Sequence, residues 1–231
     1  MRSIGCAESS ISTKLRAWFL IELASFDTKT MKKVIIVLTA LFFALQLQAQ
    51  DVDLLNRIKA ANGKVKSFDA DLSNTLVKPK KTTTQKGKLY FVAPKEFSAQ
   101  FTTGKYMIAN AQKLKMDIGI FHGTFKLKDG GKMQSLTNIF LYGFRGRAQD
   151  LANENDYSIE TKTENGLHVI TMTTKQKSLL GIGYKTVVFK YHASNLMLKD
   201  IVLYDNSGNE DTYTISNVKY DVPMDEKMFQ F

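Results

Sequence analysis

Residues 68–76 read Phe-Asp-Ala-Asp-Leu-Ser-Asn-Thr-Leu. Phe68, Ala70, Leu72, Asn74 and Leu76 alternate with Asp69, Asp71, Ser73 and Thr75, and a period of two predicts a strand with one face buried. Immediately upstream the period differs. Val52, Leu54, Leu55, Ile58, Ala61 and Val65 lie on one stripe of a helix, with Gly63 as a stop signal near its end. Downstream the alternation returns. Lys78 to Gln85 reads as a basic, threonine-rich hairpin region. Gly87, Leu89 and Phe91 mark a strand that Pro94 ends, and Phe97, Ala99 and Phe101 mark the next. Short strands follow at 106–109, 114–118 and 124–128, closed by a turn at Asp129-Gly130-Gly131.

The run of strands is then interrupted. In residues 133–153, Leu136, Ile139, Phe140, Phe144, Ala148 and Leu151 fall three or four apart, which predicts one or two helices weakened in the middle by Gly143 and Gly146. Thr137 or Asn138 is a candidate cap. Alternation resumes at Tyr157, Ile159 and Thr161, turns at Asn165-Gly166, and continues through Leu167 to Thr173, Tyr184 to Tyr191, Leu196 to Tyr204 and Asp211 to Tyr220. A loop is expected at 175–183. About ten strands joined by short turns predict a mostly antiparallel meander, curled, with helices over its apolar face.

The chain has 231 residues, 32 Lys and Arg, 22 Asp and Glu, 15 Phe, 9 Met and one Cys. Residues 31–49, MKKVIIVLTALFFALQLQA, carry a basic start, an apolar run of about a dozen residues and an imperfect small-residue site. They read as a secretory signal peptide cleaved near Ala49. Met31 is then the expected true start, residues 1–30 an extension, and residues 50–231 the mature domain. Cys6 and Trp18 lie in the extension, so the mature domain has no thiol for a disulfide, a nucleophile or a metal. It keeps 26 of the basic and 19 of the acidic residues, the ordinary balance of a lysine-rich exported domain.

Catalytic constellations are lacking. His122, His168 and His192 are far apart and form no paired metal motif. No nucleophile elbow or phosphate-binding glycine loop is present, and Gly181-Ile182-Gly183 lacks its strand–turn–helix context. Asp205 to Asp211 lacks the ligand order of a calcium loop and reads as a hairpin turn. No catalytic residue, metal or cofactor is expected, and nothing points to nucleic acid. What the domain does have is adaptable apolar bulk, Met and Phe, on strand faces and in the helical insertion. A curled sheet under a helical cover is a container.

At this point the residues resemble a family. Gly87-Lys-Leu-Tyr-Phe-Val-Ala-Pro-Lys-Glu-Phe97 looks like its early G-x-L-x-h-x-x-P-x-x-F segment, where h is apolar. Leu198 to Phe229 looks like its closing segment, with Asn217-Val-Lys-Tyr and Val222-Pro-Met-Asp-Glu-Lys-Met-Phe229. The opening helix followed by Val65-Lys-Ser-Phe68-Asp-Ala-Asp is similar too. The order of these segments over residues 50–231 resembles the outer-membrane lipoprotein carrier (LolA-like) family. The resemblance implies a mainly β fold: a half-closed antiparallel β-barrel of about ten to eleven strands with a helical lid over an apolar cavity. It implies a periplasmic, monomeric shuttle for lipidated proteins, passing between an inner-membrane lipoprotein exporter and an outer-membrane acceptor. Leu89, Phe91, Phe97, Phe101, Met107, Met116, Phe125, Leu136, Ile139, Phe140 and Phe144 are the expected acyl-chain contacts. In well-known members an arginine before the proline latches the lid. Ala93 stands there in this chain, and Arg145 and Arg147 are the candidate replacements. A carrier of another lipid, or a lipoprotein-sensing regulatory module, are the alternatives on the same fold.

Overall fold

A computed structural model describes residues 33, 37, 51–118, 121–128, 131–174 and 184–230. The expected leader and extension fall outside the described residues except at positions 33 and 37, and so does the loop read at 175–183. No helix among the described residues is long and apolar enough to cross a membrane. The unit Asp51–Phe231 carries every element that follows.

The first helix, α1, spans residues 51–63. Six strands follow: β1 (Ser67–Lys78), β2 (Lys81–Val92), β3 (Glu96–Phe101), β4 (Tyr106–Ala109), β5 (Lys113–Ile118) and β6 (Phe121–Lys126). The insertion is two helices, α2 (Lys132–Phe144) and α3 (Ala148–Asn155). Five more strands complete the sheet: β7 (Tyr157–Glu164), β8 (Leu167–Thr174), β9 (Tyr184–His192), β10 (Leu198–Asp205) and β11 (Glu210–Tyr220), before a 3-10 turn at Glu226–Phe229.

The eleven strands form one antiparallel sheet in the order β6-β5-β4-β3-β2-β1-β11-β10-β9-β8-β7. It is two meanders joined where the first strand pairs with the last, and β6 and β7 are its two open edges. This is the expected half-closed barrel. One inner row runs Phe68–Phe91–Phe97–Ala109–Leu114–Phe125 from β1 to β6. Another runs Asn74–Tyr213–Ile201–Phe189–Ile170–Thr161 from β1 to β7. Because side chains alternate across a strand, these rows place the aromatic bulk of both meanders on the same face.

Two local features bend the sheet. The β1–β11 register shifts between Asp69 and Asp71. Opposite that shift Asn217 is left-handed, with φ 52°, and its Nδ2 donates to Asp71 Oδ2 at 2.8 Å. A bulge of this kind increases local twist. In β2, a Cβ on Gly87 would lie 2.1 Å from the Gln100 carbonyl oxygen, so only glycine lets β3 come this close.

The basic, threonine-rich region read as a hairpin is one, closing β1 onto β2. Thr82, Thr83 and Thr84 pair with Val77, Leu76 and Thr75, leaving Pro79 and Lys80 as the turn, as β-branched residues favour. Neither Thr137 nor Asn138 caps a helix. Both lie inside α2, which starts after Gly131 without a side-chain cap, and Thr137 Oγ1 donates to the Met133 carbonyl at 2.8 Å. The Asp205 turn is as expected, its carboxylate accepting from the backbone N–H groups of Ser207 and Asn209, each at 2.8 Å.

Candidate functional site

Helix α2 lies over the curled sheet. Leu136, Ile139, Phe140, Gly143 and Phe144 recur at helical spacing and are all buried, which puts one stripe of the helix against the inner rows. Phe144 inserts among three strand aromatics: its ring centroid lies 5.5 Å from Phe68, 5.4 Å from Phe91 and 5.7 Å from Phe97. Phe140 packs on Phe97 at 5.6 Å and edge-on to Tyr213 at 5.0 Å. Tilted and edge-to-face contacts of this kind add to simple area burial.

The container is closed. The void between lid and sheet is about 10 Å³, lined by Leu72, Leu89, Phe97, Ala99, Met107, Phe140, Phe144, Ile201, Tyr213 and Ile215. That is room for about one water-sized probe, and no acyl chain fits without movement. The open cavity expected from the sequence is, in this state, filled by the lid's own phenylalanines. Of the eleven expected contacts, Leu89, Phe97, Met107, Phe140 and Phe144 meet at this void. Phe91, Met116, Leu136 and Ile139 are buried in the same core but do not line it. Phe101 is buried and also borders an outer groove beside Gln100 and Thr102. Phe125 is only partly buried, toward the β6 edge. Leu72, Ala99, Ile201, Tyr213 and Ile215 are not among the expected contacts; the last three arrive through the β1–β11 pairing, for which period-two patterning gives no signal.

The lid is not held by either expected arginine. Tyr191 on β9 is fully buried, and its hydroxyl donates to the Gly143 carbonyl in the last turn of α2 at 2.9 Å. Burial pushes the phenol up, so it stays protonated and can donate. This is the one hydrogen bond joining α2 to the sheet among the described residues. At the same turn a Cβ on Gly143 would meet Ile201 Cδ1 and Phe189 Cε1, both at 3.1 Å, so the missing side chain seats the helix.

Arg147 instead binds the helices to one another. Its Nε donates to Asp150 Oδ2 at 2.6 Å, and its guanidinium lies 4.7 Å over the Tyr142 ring. Asp150 also receives Lys59 of α1 at 3.0 Å, and Tyr142 donates to Glu154 of α3 at 2.5 Å. Burial and the Glu154 hydrogen bond push the Tyr142 phenol up to about 12. Gly146, at φ 63°, turns the chain between α2 and α3; a Cβ there would meet the Ile58 carbonyl of α1 at 2.7 Å. Polar contacts thus join the three helices to one another, whereas α2 is held on the strands mainly by apolar packing. Arg145 has no side-chain partner among the described residues.

Two polar regions border the core. Asn74, buried on β1, donates through Nδ2 to Asp211 Oδ1 at 2.5 Å and accepts from Gln85 Nε2 at 3.0 Å. Tyr213 donates to Asp211 Oδ2 at 3.1 Å. Burial raises the Asp211 carboxyl, against the lowering effect of those two donors. Beside α2, on the flank away from β9 and β10, a cavity of about 540 Å³ is lined by turn residues Pro94, Lys95 and Asn110 and by helix residues including Asn138, Arg145 and Glu154. Among the described residues no group of three or more His, Cys, Asp or Glu could hold a metal.

No curated protein matches the sequence. Solved structures with a similar chain path include a LolA superfamily protein from Nitrosomonas europaea, 14% identical over 78% of this chain and 96% of that one, TM-score 0.42. A putative outer membrane lipoprotein-sorting protein domain from Vibrio parahaemolyticus is 12% identical over 77% and 95%, TM-score 0.43. The MucA/MucB complex of Pseudomonas aeruginosa contains a chain 10% identical over 78% and 60%, TM-score 0.39. The family described as outer membrane lipoprotein carrier protein LolA matches residues 63–231. That match spans well over half of the sequence, and the chain belongs to the LolA family.

Proposed function

We propose that the protein is a periplasmic carrier that shelters the acyl chains of lipidated proteins under α2 and moves them from an inner-membrane exporter to an outer-membrane acceptor. Residues 31–49 act as its export signal. The observation that carries this reading is the seating of α2: an apolar helix face on an apolar trough, joined to the sheet, among the described residues, by the single Tyr191–Gly143 hydrogen bond.

Magnitudes support it. Exposing Leu136, Ile139, Phe140 and Phe144 to water, at about 1.5–3 kcal/mol each, costs on the order of 6–12 kcal/mol. The empty protein therefore stays shut. A sixteen-carbon chain, at about 0.8 kcal/mol per methylene, carries roughly 12 kcal/mol of its own exposure cost. Exchanging lid phenylalanines for hydrocarbon in the trough is then close to balanced. Loading and release can both be driven by modest differences in the donor and acceptor. Displaced lid side chains remain with the helix, so the trough regains its own filling when cargo leaves.

The test is co-elution of the purified protein with a triacylated lipoprotein and with the same lipoprotein lacking its acyl groups. The reading expects a complex with the acylated form alone. Equal retention of both forms, or of neither, overturns it.

A further inference from the structure

The cavity beside α2 differs in character from the trough beneath it. At about 540 Å³ it falls in the range of small-molecule sites. One wall is apolar: Leu141 is part of the core and Leu127 packs against it. The charged part of the lining is mostly cationic, with Lys95, Arg145 and Arg147 against a single carboxylate, Glu154.

Two of those four charges are already satisfied. Arg147 is held by Asp150, and Glu154 accepts from Tyr142. Arg145 and Lys95 have no carboxylate partner among the described residues, and Arg145 is half-buried. A guanidinium partly removed from water gains most from a planar oxyanion that accepts two parallel hydrogen bonds. Arg145 is also the residue that ends α2, two positions beyond the latched carbonyl of Gly143.

We infer that this groove binds the oxyanion head of an acyl lipid, a carboxylate or a phosphate, while the chain lies in the trough that α2 covers. The inference rests on the carrier reading and adds a preference to it: an anionic acyl lipid is taken in preference to a neutral one. A cation at the end of α2 also complements the helix dipole, a role that Lys would fill as well as Arg. The paired hydrogen bonds of an oxyanion site would not survive that exchange.

The experiment is calorimetric titration of the full-length protein with oleate, 1-oleoyl-lysophosphatidylglycerol and monoolein below their aggregation limits, for the native protein, Arg145→Gln and Arg145→Lys. Thermal melts confirm that both variants fold. The expected result is at least about tenfold tighter binding of one or both anionic lipids than of monoolein, equivalent to about 1.4 kcal/mol. That gap closes in Arg145→Gln and is not restored in Arg145→Lys, while monoolein binds all three proteins alike. Preference for oleate alone assigns a carboxylate, and preference for the lysolipid alone a phosphate. Equal binding of all three lipids by the native protein, or a gap that persists in Arg145→Gln, overturns the head-group site and leaves the carrier reading standing. Failure of every lipid, monoolein included, overturns both.

Discussion

The hydroxyl of Tyr191 and the carbonyl of Gly143 meet at 2.9 Å between β9 and the last turn of α2. Residues far apart in sequence thereby decide whether the helical lid is fastened. The phenol is fully buried and kept protonated, so the bond does not depend on pH near neutrality.

Tyr191→Phe removes the donor and keeps the ring. The expected loss of stability is about 1–2 kcal/mol, because the Gly143 carbonyl is left buried without its partner. If that bond is broken when the lid rises, uptake of a fluorescent acyl probe accelerates by up to roughly tenfold. Stopped-flow mixing measures this. An unchanged uptake rate with lowered stability would make Tyr191 a packing residue and not a latch.

Gly143→Ala sets two effects against each other. Helix propensity favours Ala by about 1 kcal/mol. The added methyl meets Ile201 and Phe189 at 3.1 Å, and both are fully buried with nowhere to retreat. Overpacking of this kind costs about 1–3 kcal/mol. The net expectation is a less stable protein with a raised lid, read as a lower midpoint in urea and stronger binding of an apolar dye.

Phe144→Ala empties the space among Phe68, Phe91 and Phe97. A cost of about 3–5 kcal/mol is expected for the empty protein. An acyl ligand should restore part of it by filling the same space. Melting with and without a bound acyl probe tests this, and the account requires a larger ligand-induced rise in Tm for the variant than for the native protein.

Asp211 gives a pH signature. Its folded carboxyl is raised above the usual 3.8 by burial, so between the two values the folded state holds more protons than the unfolded one. Its contribution to stability is then fully present below about pH 4 and lost as pH rises through the folded value. Asp211→Asn keeps an acceptor for Asn74, offers Tyr213 a donor to its hydroxyl oxygen in place of an acceptor, and removes the charge. Its stability relative to the native protein is expected to rise between pH 4 and pH 7. A parallel pair of stability–pH curves would contradict this.

The sequence pattern revealed much of the fold and less of the site. Strands such as 68–76 alternate cleanly, and the change to helical spacing at Leu136, Ile139, Phe140 and Phe144 is local; both are visible within a dozen residues. The pairing of β1 with β11 is not, because nothing in Leu72 announces Ile215 as its neighbour. In β9 and β10 the periodicity itself fails. Val187, Val188 and Phe189, and Ile201, Val202 and Leu203, are apolar on both faces, and a second small cluster of Val169, Val188 and Val202 lies opposite the main core. Ile201 is hidden in the sequence for that reason, and Tyr213 on β11 for want of any sign of the β1–β11 pairing. The arginine latch is an expectation from the family resemblance, and Ala93 already departs from it. A tyrosine donating to a backbone carbonyl leaves no pattern to read. Whether a trough is hollow or filled depends on how lid side chains interdigitate, and composition does not report this.

The central claim is that α2 rises to admit hydrocarbon. The most direct measurement places spin labels at Asn138 on α2 and Lys199 on β10, with Cys6 replaced by Ser, and compares their separation before and after loading with a triacylated lipopeptide. The account predicts a distance longer by several ångströms in the loaded protein and a return to the starting value on release. A lipopeptide that binds stoichiometrically while the distance stays fixed would contradict it.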